Sequence, residues 1–254
     1  MKIIVCIRQV PVRDSQLRVD PSGAWIDESD LSFEINEPDA YALEEALQLR
    51  EKHTGEVVIL CAGPPRAAQT IREALAKGAD RAVHIELDNL HAYDTLALAG
   101  VLAAAIRAEQ PDLIVTGLQS DDLGYGQTGV VLAELLALPH ATIVMQVEKT
   151  NTGIRVKREL ENGWFQHVEM PLPALLTIQS GINKLRYATL MGIKRARTKE
   201  IRPVKPGVAA DASRSAIERV YAPQKSKQTQ MLDGNPREAA AKLVEKLRFE
   251  VRVL

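Results

Sequence analysis

A glycine-rich segment carries the clearest chemical signal in this sequence of 254 residues. Residues 117–129 read Gly-Leu-Gln-Ser-Asp-Asp-Leu-Gly-Tyr-Gly-Gln-Thr-Gly and follow an apolar run that ends at Thr116. Glycine permits tight turns and a close approach of the backbone to a ligand. Gln127 and Thr128 lie at the start of a predicted helix, where free N–H groups and the helix dipole favour a phosphate. The segment indicates a nucleotide-binding loop or, because it matches neither common phosphate-loop motif, a glycine-rich connection.

Three further loops are expected to meet this segment. They are the turn after Ile7, residues 36–39, and the small-residue turn at residues 62–64, and we place them at the carboxyl ends of predicted strands. In a parallel sheet, ligands bind beyond the carboxyl ends of the strands. We therefore expect these loops to outline one pocket for an adenine nucleotide.

The sequence shows no catalytic or metal-binding constellation. None of its five histidines has the spacing of a metal site. Asp121 and Asp122 are adjacent, so their side chains point apart, and no nucleophile lies nearby; we interpret them as loop acids. Cys6 and Cys61 lie inside apolar runs, which predicts buried thiols in a reducing compartment.

The composition argues against several classes of partner. Lysine and arginine total 32 against 33 acidic residues, a net charge of -1, which disfavours nucleic acid or an anionic membrane surface as the main partner. Aromatic residues make up only 4%, which argues against a base-stacking platform. No apolar run approaches the ~20 residues of a membrane span, and residues 1–5 enter a strand pattern directly. We expect a cytoplasmic protein that is not a membrane protein.

The elements that position these loops alternate regularly along the first half of the chain. Apolar runs predict strands at residues 3–7, 57–61, 81–86 and 112–116, and helical patterns lie at residues 41–52, 67–77, 95–109 and 129–138. Asn36 is the expected cap of the first of these helices, and Gly78 is expected to close the second. This order predicts a three-layer, Rossmann-like α/β fold with a mostly parallel sheet.

The second half of the chain changes character. Residues 144–149, 154–160, 164–168 and 174–178 predict strands, with turns at residues 151–153 and 161–163, so antiparallel strands are expected to extend the sheet. We place the end of the α/β domain at residue 200, because Pro203 and Pro206 then interrupt the pattern. Residues 201–254 are interpreted as a C-terminal arm with an amphipathic helix at residues 237–249, which packs on its own sheet or reaches across a partner.

A short apolar stretch, residues 187–191, is surrounded by basic residues. Lys184 and Arg186 precede it, and Lys194, Arg195 and Arg197 follow it. An exposed apolar tip with a basic rim suits transient docking of an acidic partner, while the alternative is a solvated charged face.

Taken in order, these segments resemble the β (small) subunit family of electron transfer flavoproteins. The resemblance covers nearly the whole chain and is carried by residues 7–11, 36–47, 117–129 with 133–136, 156–160 with 172–177, and 186–190. It implies a heterodimer with an α subunit that holds FAD, a structural AMP in the β subunit, no catalytic residue in this chain, and a C-terminal arm on the α subunit.

The resemblance also assigns residues. The implied AMP-binding residues are Cys6, Asn36, Glu37, Pro38, Asp39, Ala62, Gly117, Leu118, Gln119, Ser120, Asp121, Asp122, Leu123, Gly124, Tyr125, Gly126, Gln127 and Thr128. The recognition loop is expected at about residues 183–197, with Leu190 as the docking anchor. Its docking residues would be Arg186, Tyr187, Leu190, Met191 and Lys194.

The resemblance leaves the partners and the second cofactor open. Dehydrogenases such as acyl-CoA dehydrogenases of fatty acid oxidation are the implied electron donors or acceptors, and a membrane quinone oxidoreductase is another possible partner. An electron-bifurcating form with a second FAD in the β-subunit pocket is the main alternative, although Gly-Gln-Thr-Gly at residues 126–129 favours AMP. An ATP-using or nucleotide-sensing protein of the same fold is a further alternative, disfavoured because the sequence has no Walker lysine.

Overall fold

A nine-stranded sheet forms the centre of the protein in the computed structural model, which describes residues 1–206, 212–223 and 229–253. The strands in chain order are β1 (Lys2–Ile7), β2 (Gln9–Pro11), β3 (Phe33–Ile35), β4 (Glu56–Gly63), β5 (Arg81–Glu86), β6 (Leu113–Gly117), β7 (His140–Lys149), β8 (Ile154–Glu159), β9 (Phe165–Met170), β10 (Ala174–Ile178) and β11 (Ile201–Val204). The sheet has the order β11-β5-β4-β1-β6-β10-β7-β8-β9, and β2 and β3 form a separate antiparallel pair.

Helices cover both faces of this sheet. They are α1 (Glu37–His53), α2 (Ala67–Lys77), α3 (Thr95–Glu109), α4 (Thr128–Leu136) and α5 (Leu190–Ala196). Alternate residues of β1 point into two cores: Ile3 and Val5 join the core with α1, α2 and α5, and Ile4 joins the core with α3 and α4. The three-layer, mostly parallel fold predicted from the sequence is therefore confirmed.

Several predicted elements have the predicted bounds. Helices α2 and α3 and strand β5 begin and end at the predicted residues. Gly78 ends α2 with a φ of 140°, and its N–H donates to the carbonyls of Ala74 and Leu75. Short-range sequence patterns with clear end signals mark these elements, which explains why the sequence is sufficient to locate them.

The second half of the sheet differs from the prediction. Strand β10 does not extend the sheet antiparallel; it runs parallel to both of its neighbours, β6 and β7. All five of its residues are buried, as expected for an interior parallel strand covered on both faces. Strand β7 begins at His140, before the predicted start at residue 144, and only the β7–β8 and β8–β9 pairs within the sheet are antiparallel.

The predicted boundary at residue 200 is also too early for the sheet. Strand β11 pairs with β5 at the sheet edge, with Pro203 opposite His84. Proline lacks a backbone N–H but is tolerated on an edge strand, where one side of the strand has no partner to lose. The first compact unit runs through Val220 and the second comprises Tyr221–Leu254. Within the predicted arm, residues 207–211, 224–228 and 254 lie outside the described residues.

The second unit contains one amphipathic helix among its described residues, α6 (Pro236–Lys246). Asn235 caps its start: the side chain accepts from the N–H groups of Arg237 and Glu238, while the side chain of Glu238 accepts from the N–H of Asn235. A π-helical turn, Leu247–Val251, continues it, so the helical segment predicted at residues 237–249 is present. Leu243 and Val244 on its apolar stripe are exposed. No helix among the described residues is long and apolar enough to cross a membrane.

An ion-pair network joins strands and a helix at the amino edge of the sheet. Glu109, at the end of α3 with a side chain only 8% exposed, pairs with Arg81 at 2.6 Å, with Lys2 at 3.1 Å and with Arg202. The hydrogen bond from Arg81, followed by that from Lys2, lowers the pKa of Glu109 to about 2. The carboxylate thus ties together β1, β5, β11 and α3.

We expect Glu109→Gln to lower the free energy of unfolding by about 2 kcal/mol at pH 7, because three cations lose their shared carboxylate. The pKa of Glu109 is depressed in the folded state, so its contribution is present above about pH 4.5 and is lost as the pH falls toward 2. Urea unfolding at pH 7 and pH 3 measures both effects. Glu169→Gln, which breaks the exposed pair with Arg155, is the matched control and costs less than about 1 kcal/mol. Equal losses in the two variants would contradict the assignment.

Candidate functional site

The predicted loops meet at a cavity of about 110 Å³ beyond the carboxyl ends of the strands, here called the small cavity. Most of the predicted binding residues line it: Cys6, Asn36, Asp39, Ala62, Gly117, Leu118, Gln119, Ser120, Leu123, Tyr125, Gly126, Gln127 and Thr128. The structure therefore brings together residues from the ends of β1 and β4, from residues 36–39 and from residues 117–128, at the sheet edge where α/β proteins bind ligands.

Five predicted residues lie elsewhere. Asp121 and Asp122 line an adjoining space of about 810 Å³, here called the large cavity, which is bounded by the chain between β2 and β3. Glu37, Pro38 and Gly124 line neither cavity. Pro38 instead packs behind Gly117, at which a Cβ atom would lie 2.7 Å from the Pro38 Cβ.

One wall of the small cavity lies outside the residues predicted from the sequence. Leu90 and Tyr93 line it from the segment between β5 and α3, and Thr95 lines it from the first position of α3. This segment also follows the carboxyl end of a strand, so the rule applied to the other loops was a sufficient signal for it. Leu98 and Leu102 of α3 add an apolar surface, which could have been inferred only from the packing of α3 beside the site.

Asn36 holds the glycine-rich loop (residues 117–129) against the start of α1. Its side-chain amide donates to the carbonyl of Gln119 at 2.9 Å and accepts from the N–H of Asp121 at 2.8 Å. Asn36 occupies the position before α1, as predicted, but its side chain makes no capping hydrogen bond. Asp121 accepts from the N–H of Glu37 at 3.1 Å and so takes over part of that role.

Asp39 is buried at the junction of β1, β6 and α1. Its carboxyl oxygens accept from the N–H of Arg8 and the N–H of Gly117, each at 2.8 Å. A Cβ atom at Gly117 would lie 2.5 Å from the carboxyl oxygen, so glycine is required for this approach. Burial outweighs these two hydrogen bonds and raises the pKa of Asp39 to about 7. The small cavity therefore contains a carboxyl group that titrates near neutral pH.

The glycine-rich loop leads into α4, and the first N–H groups of that helix have no side-chain cap. Gly124 and Gly126 have φ values of 67° and 63°, which favour glycine. Gln127 occupies the position before α4 but makes no side-chain capping hydrogen bond. Uncapped N–H groups at the positive end of a helix dipole suit an anionic group, and Gln127 and Thr128 line the small cavity.

The two cysteines are buried free thiols, as predicted. Cys6 lines the small cavity, and burial raises its pKa far above the ordinary thiol range. Burial likewise raises the pKa of Cys61 to about 12. Both thiols are therefore protonated at neutral pH, which is the unreactive form.

The predicted docking segment ends in an exposed apolar tip. Tyr187 and Leu190 are 94% and 81% exposed, and Met191 is also exposed. Leu190 begins α5, whose start is capped by the side chain of Thr189 through the N–H of Gly192 at 3.0 Å. A Cβ atom at Gly192 would lie 2.3 Å from the carbonyl oxygen of Ala76, so α5 sits directly on α2. The tip is thus presented by a firmly seated helix.

Arg186 and Lys194 differ in their surroundings. The guanidinium of Arg186 is bonded to Glu44 at 2.8 Å and to Glu51 at 2.6 Å, both on α1. Its charge is therefore already paired, and its visible contacts hold the loop to α1. Lys194 is exposed on α5.

The fold is that of a Rossmann-like α/β protein, and its cavity lies at the sheet edge where that class binds ligands. A family model described as the electron transfer flavoprotein domain matches residues 24–209. The chain is 38% identical to the electron transfer flavoprotein subunit beta of Methylophilus methylotrophus, covering 96% of this chain and 97% of that protein. It is 35% identical to the subunit beta of Bacillus subtilis (strain 168), covering 92% and 90%. The chain belongs to the electron transfer flavoprotein β-subunit family.

We expect the free energy of unfolding to fall as the pH rises from about 4 to 7 through the titration of Asp39. The folded state holds this proton more tightly than the unfolded state, so the stabilisation present at low pH is lost as the pH passes the folded pKa. The fall is on the order of a few kcal/mol. Urea unfolding between pH 4 and 8 measures it, and Asp39→Asn should have a smaller slope in this window. An unchanged slope would contradict the role of Asp39.

Proposed function

We propose that this chain is the β subunit of a heterodimeric electron transfer flavoprotein. It pairs with an α subunit that holds FAD, and its own small cavity binds AMP as a structural nucleotide. The observation that carries the proposal is the convergence of the predicted loops on one cavity, in a chain that belongs to this family. In this proposed function, the chain carries no catalytic residue of its own and acts as an electron-carrier subunit.

The residues of the small cavity suit a nucleoside monophosphate. The uncapped start of α4 offers backbone N–H groups to an anion. Leu98 and Leu102 offer an apolar surface to a base, and the polar groups of Gln119 and Thr128 lie at the same cavity. The bound AMP would have a structural role and no catalytic one, because it would join loops that belong to different strands.

A second FAD in this region, as in an electron-bifurcating protein, is the competing function. The observation that favours it is the large cavity, which adjoins the small one and has room for a larger ligand. The two functions differ in cofactor content, so they can be separated without measuring electron transfer.

We expect the heterodimer, co-expressed with its α subunit, to release about one AMP and one FAD. Mass spectrometry identifies the nucleotides, and flavin absorbance gives the amount of FAD. Two FAD and no AMP would replace the proposed function by the bifurcating one. A heterodimer without flavin absorbance would overturn both.

The exposed tip at residues 187–191 is proposed to dock flavin-dependent dehydrogenases, with Leu190 as the anchor. Apolar side chains that insert into a partner surface carry much of the binding energy of small interfaces. Exposed Lys194 adds a positive charge beside the tip, which suits an acidic partner surface. Arg186 contributes indirectly, because it holds the preceding loop to α1 through Glu44 and Glu51.

The second unit is proposed to form the arm that packs on the α subunit. Its support is the exposed apolar surface of the helical segment, which includes Leu243, Val244 and Phe249. Exposed apolar patches of this kind mark protein interaction surfaces.

We expect Leu190→Ala to lower the second-order rate constant of electron transfer with a partner dehydrogenase by about tenfold, because the anchor loses its apolar contact. Stopped-flow reduction of the flavin in the heterodimer measures this rate. AMP content should be unchanged, since Leu190 lies outside both cavities. Ile193→Ala, a less exposed apolar residue of the same helix, is the matched control. Equal rates for wild type and Leu190→Ala would contradict the docking assignment.

A further inference from the structure

The small and large cavities share one wall. Five residues line both of them: Arg8, Ala62, Leu90, Leu123 and Tyr125. Arg8 is the cation of this wall, and among the described residues it is the one lysine or arginine that lines the small cavity. A ligand in the small cavity that extends into the large one must therefore pass Arg8 and the other four shared residues.

Arg8 is fixed in this wall by a bidentate ion pair with Asp122. Its Nη2 and Nε atoms lie 2.6 and 2.8 Å from Asp122 Oδ2, and Nε lies 3.0 Å from Oδ1. Both side chains are only 18% exposed. The backbone N–H of Arg8 is bonded to Asp39, so the residue is held at its backbone and at its guanidinium. Bidentate arginine–carboxylate pairs are the strong, directional form of this contact.

The large cavity is acidic beyond this wall. Its charged lining residues are Asp20, Asp27, Glu28, Glu34, Asp88, Asp121 and Asp122, with Arg8, Arg13 and Arg66. Carboxylates therefore outnumber cations there, and Arg8 itself is neutralised by Asp122. A phosphate group that entered the large cavity would meet like charges at close range.

We infer that the Arg8–Asp122 ion pair is a selectivity partition that limits the nucleotide to a monophosphate. The inference rests on the proposed function, in which the small cavity binds AMP. A second phosphate that extends from the small cavity toward the large one has to break the ion pair or place its charge beside Asp122 and the acidic wall. AMP stays within the small cavity and requires neither, so the pair discriminates against ADP while remaining intact when AMP is bound.

The test compares AMP and ADP on the purified heterodimer after its bound nucleotide has been exchanged away. Competition against isotope-labelled AMP gives the two dissociation constants and their ratio. We expect wild type to prefer AMP, and Asp122→Asn to lower this preference at least tenfold, which is about 1.4 kcal/mol. The substitution removes a negative charge and frees the Arg8 guanidinium for the second phosphate.

Asp88→Asn is the matched control. It removes the same charge from the lining of the same cavity, but Asp88 is not among the groups bonded to Arg8 in the described structure. Its AMP preference should change less than twofold. Adding Arg8→Gln to Asp122→Asn should reduce the gain in ADP binding, because the ion pair is then absent but no guanidinium is left to meet the second phosphate.

The possible outcomes distinguish a failure of AMP binding from a failure of the partition. If wild type binds neither AMP nor ADP, the proposed function fails and the inference with it. If wild type binds both equally, or if Asp122→Asn and Asp88→Asn behave alike, the partition is overturned while AMP binding stands.

Arg8→Lys, which keeps the charge but loses the bidentate geometry, gives a second route if Asp122→Asn does not fold. It should lower the preference for AMP, and an unchanged preference would count against the partition.

Discussion

The carboxyl group of Asp39 is the contact on which the candidate site depends. It joins the ends of two neighbouring strands by accepting from the N–H of Arg8 after β1 and the N–H of Gly117 at the end of β6. Because Asp39 lies in the first turn of α1, the same group also sets the distance between that helix and the sheet edge. The glycine-rich loop can begin where it does only because Gly117 has no side chain to oppose this approach.

Most of the fold could be predicted from local patterns, and the parts that could not depend on pairing between distant residues. The ends of α2 and α3 follow from local signals such as Gly78. The direction of β10 does not, because a buried run is compatible with either a parallel or an antiparallel partner. Strand β11 was missed because Pro203 suggests a break, and its edge position is visible only once β5 is placed.

The candidate site was predictable to a similar extent. The rule that loops meet at the carboxyl edge placed Asn36, Asp39 and the glycine-rich loop together, and they do line one cavity. It could not tell what each side chain bonds to. Asn36 carries a capping signal in the sequence, yet its amide binds the glycine-rich loop, because two backbone groups of that loop compete for it in the folded chain. The Arg8–Asp122 pair joins residues far apart in sequence, so no local pattern could reveal it.

The position of β10 has a consequence for how the chain is made. Strand β6 pairs with β1 on one side and with β10 on the other, and the N–H of Leu118 donates to the carbonyl of Ile178 at 3.0 Å. While the polypeptide emerges from the ribosome, β6 keeps an open edge until residue 178 has been synthesised and released. The first residues of the glycine-rich loop lack their β10 support during that interval. The growing chain therefore completes this wall of the cavity only after most of the protein has been translated.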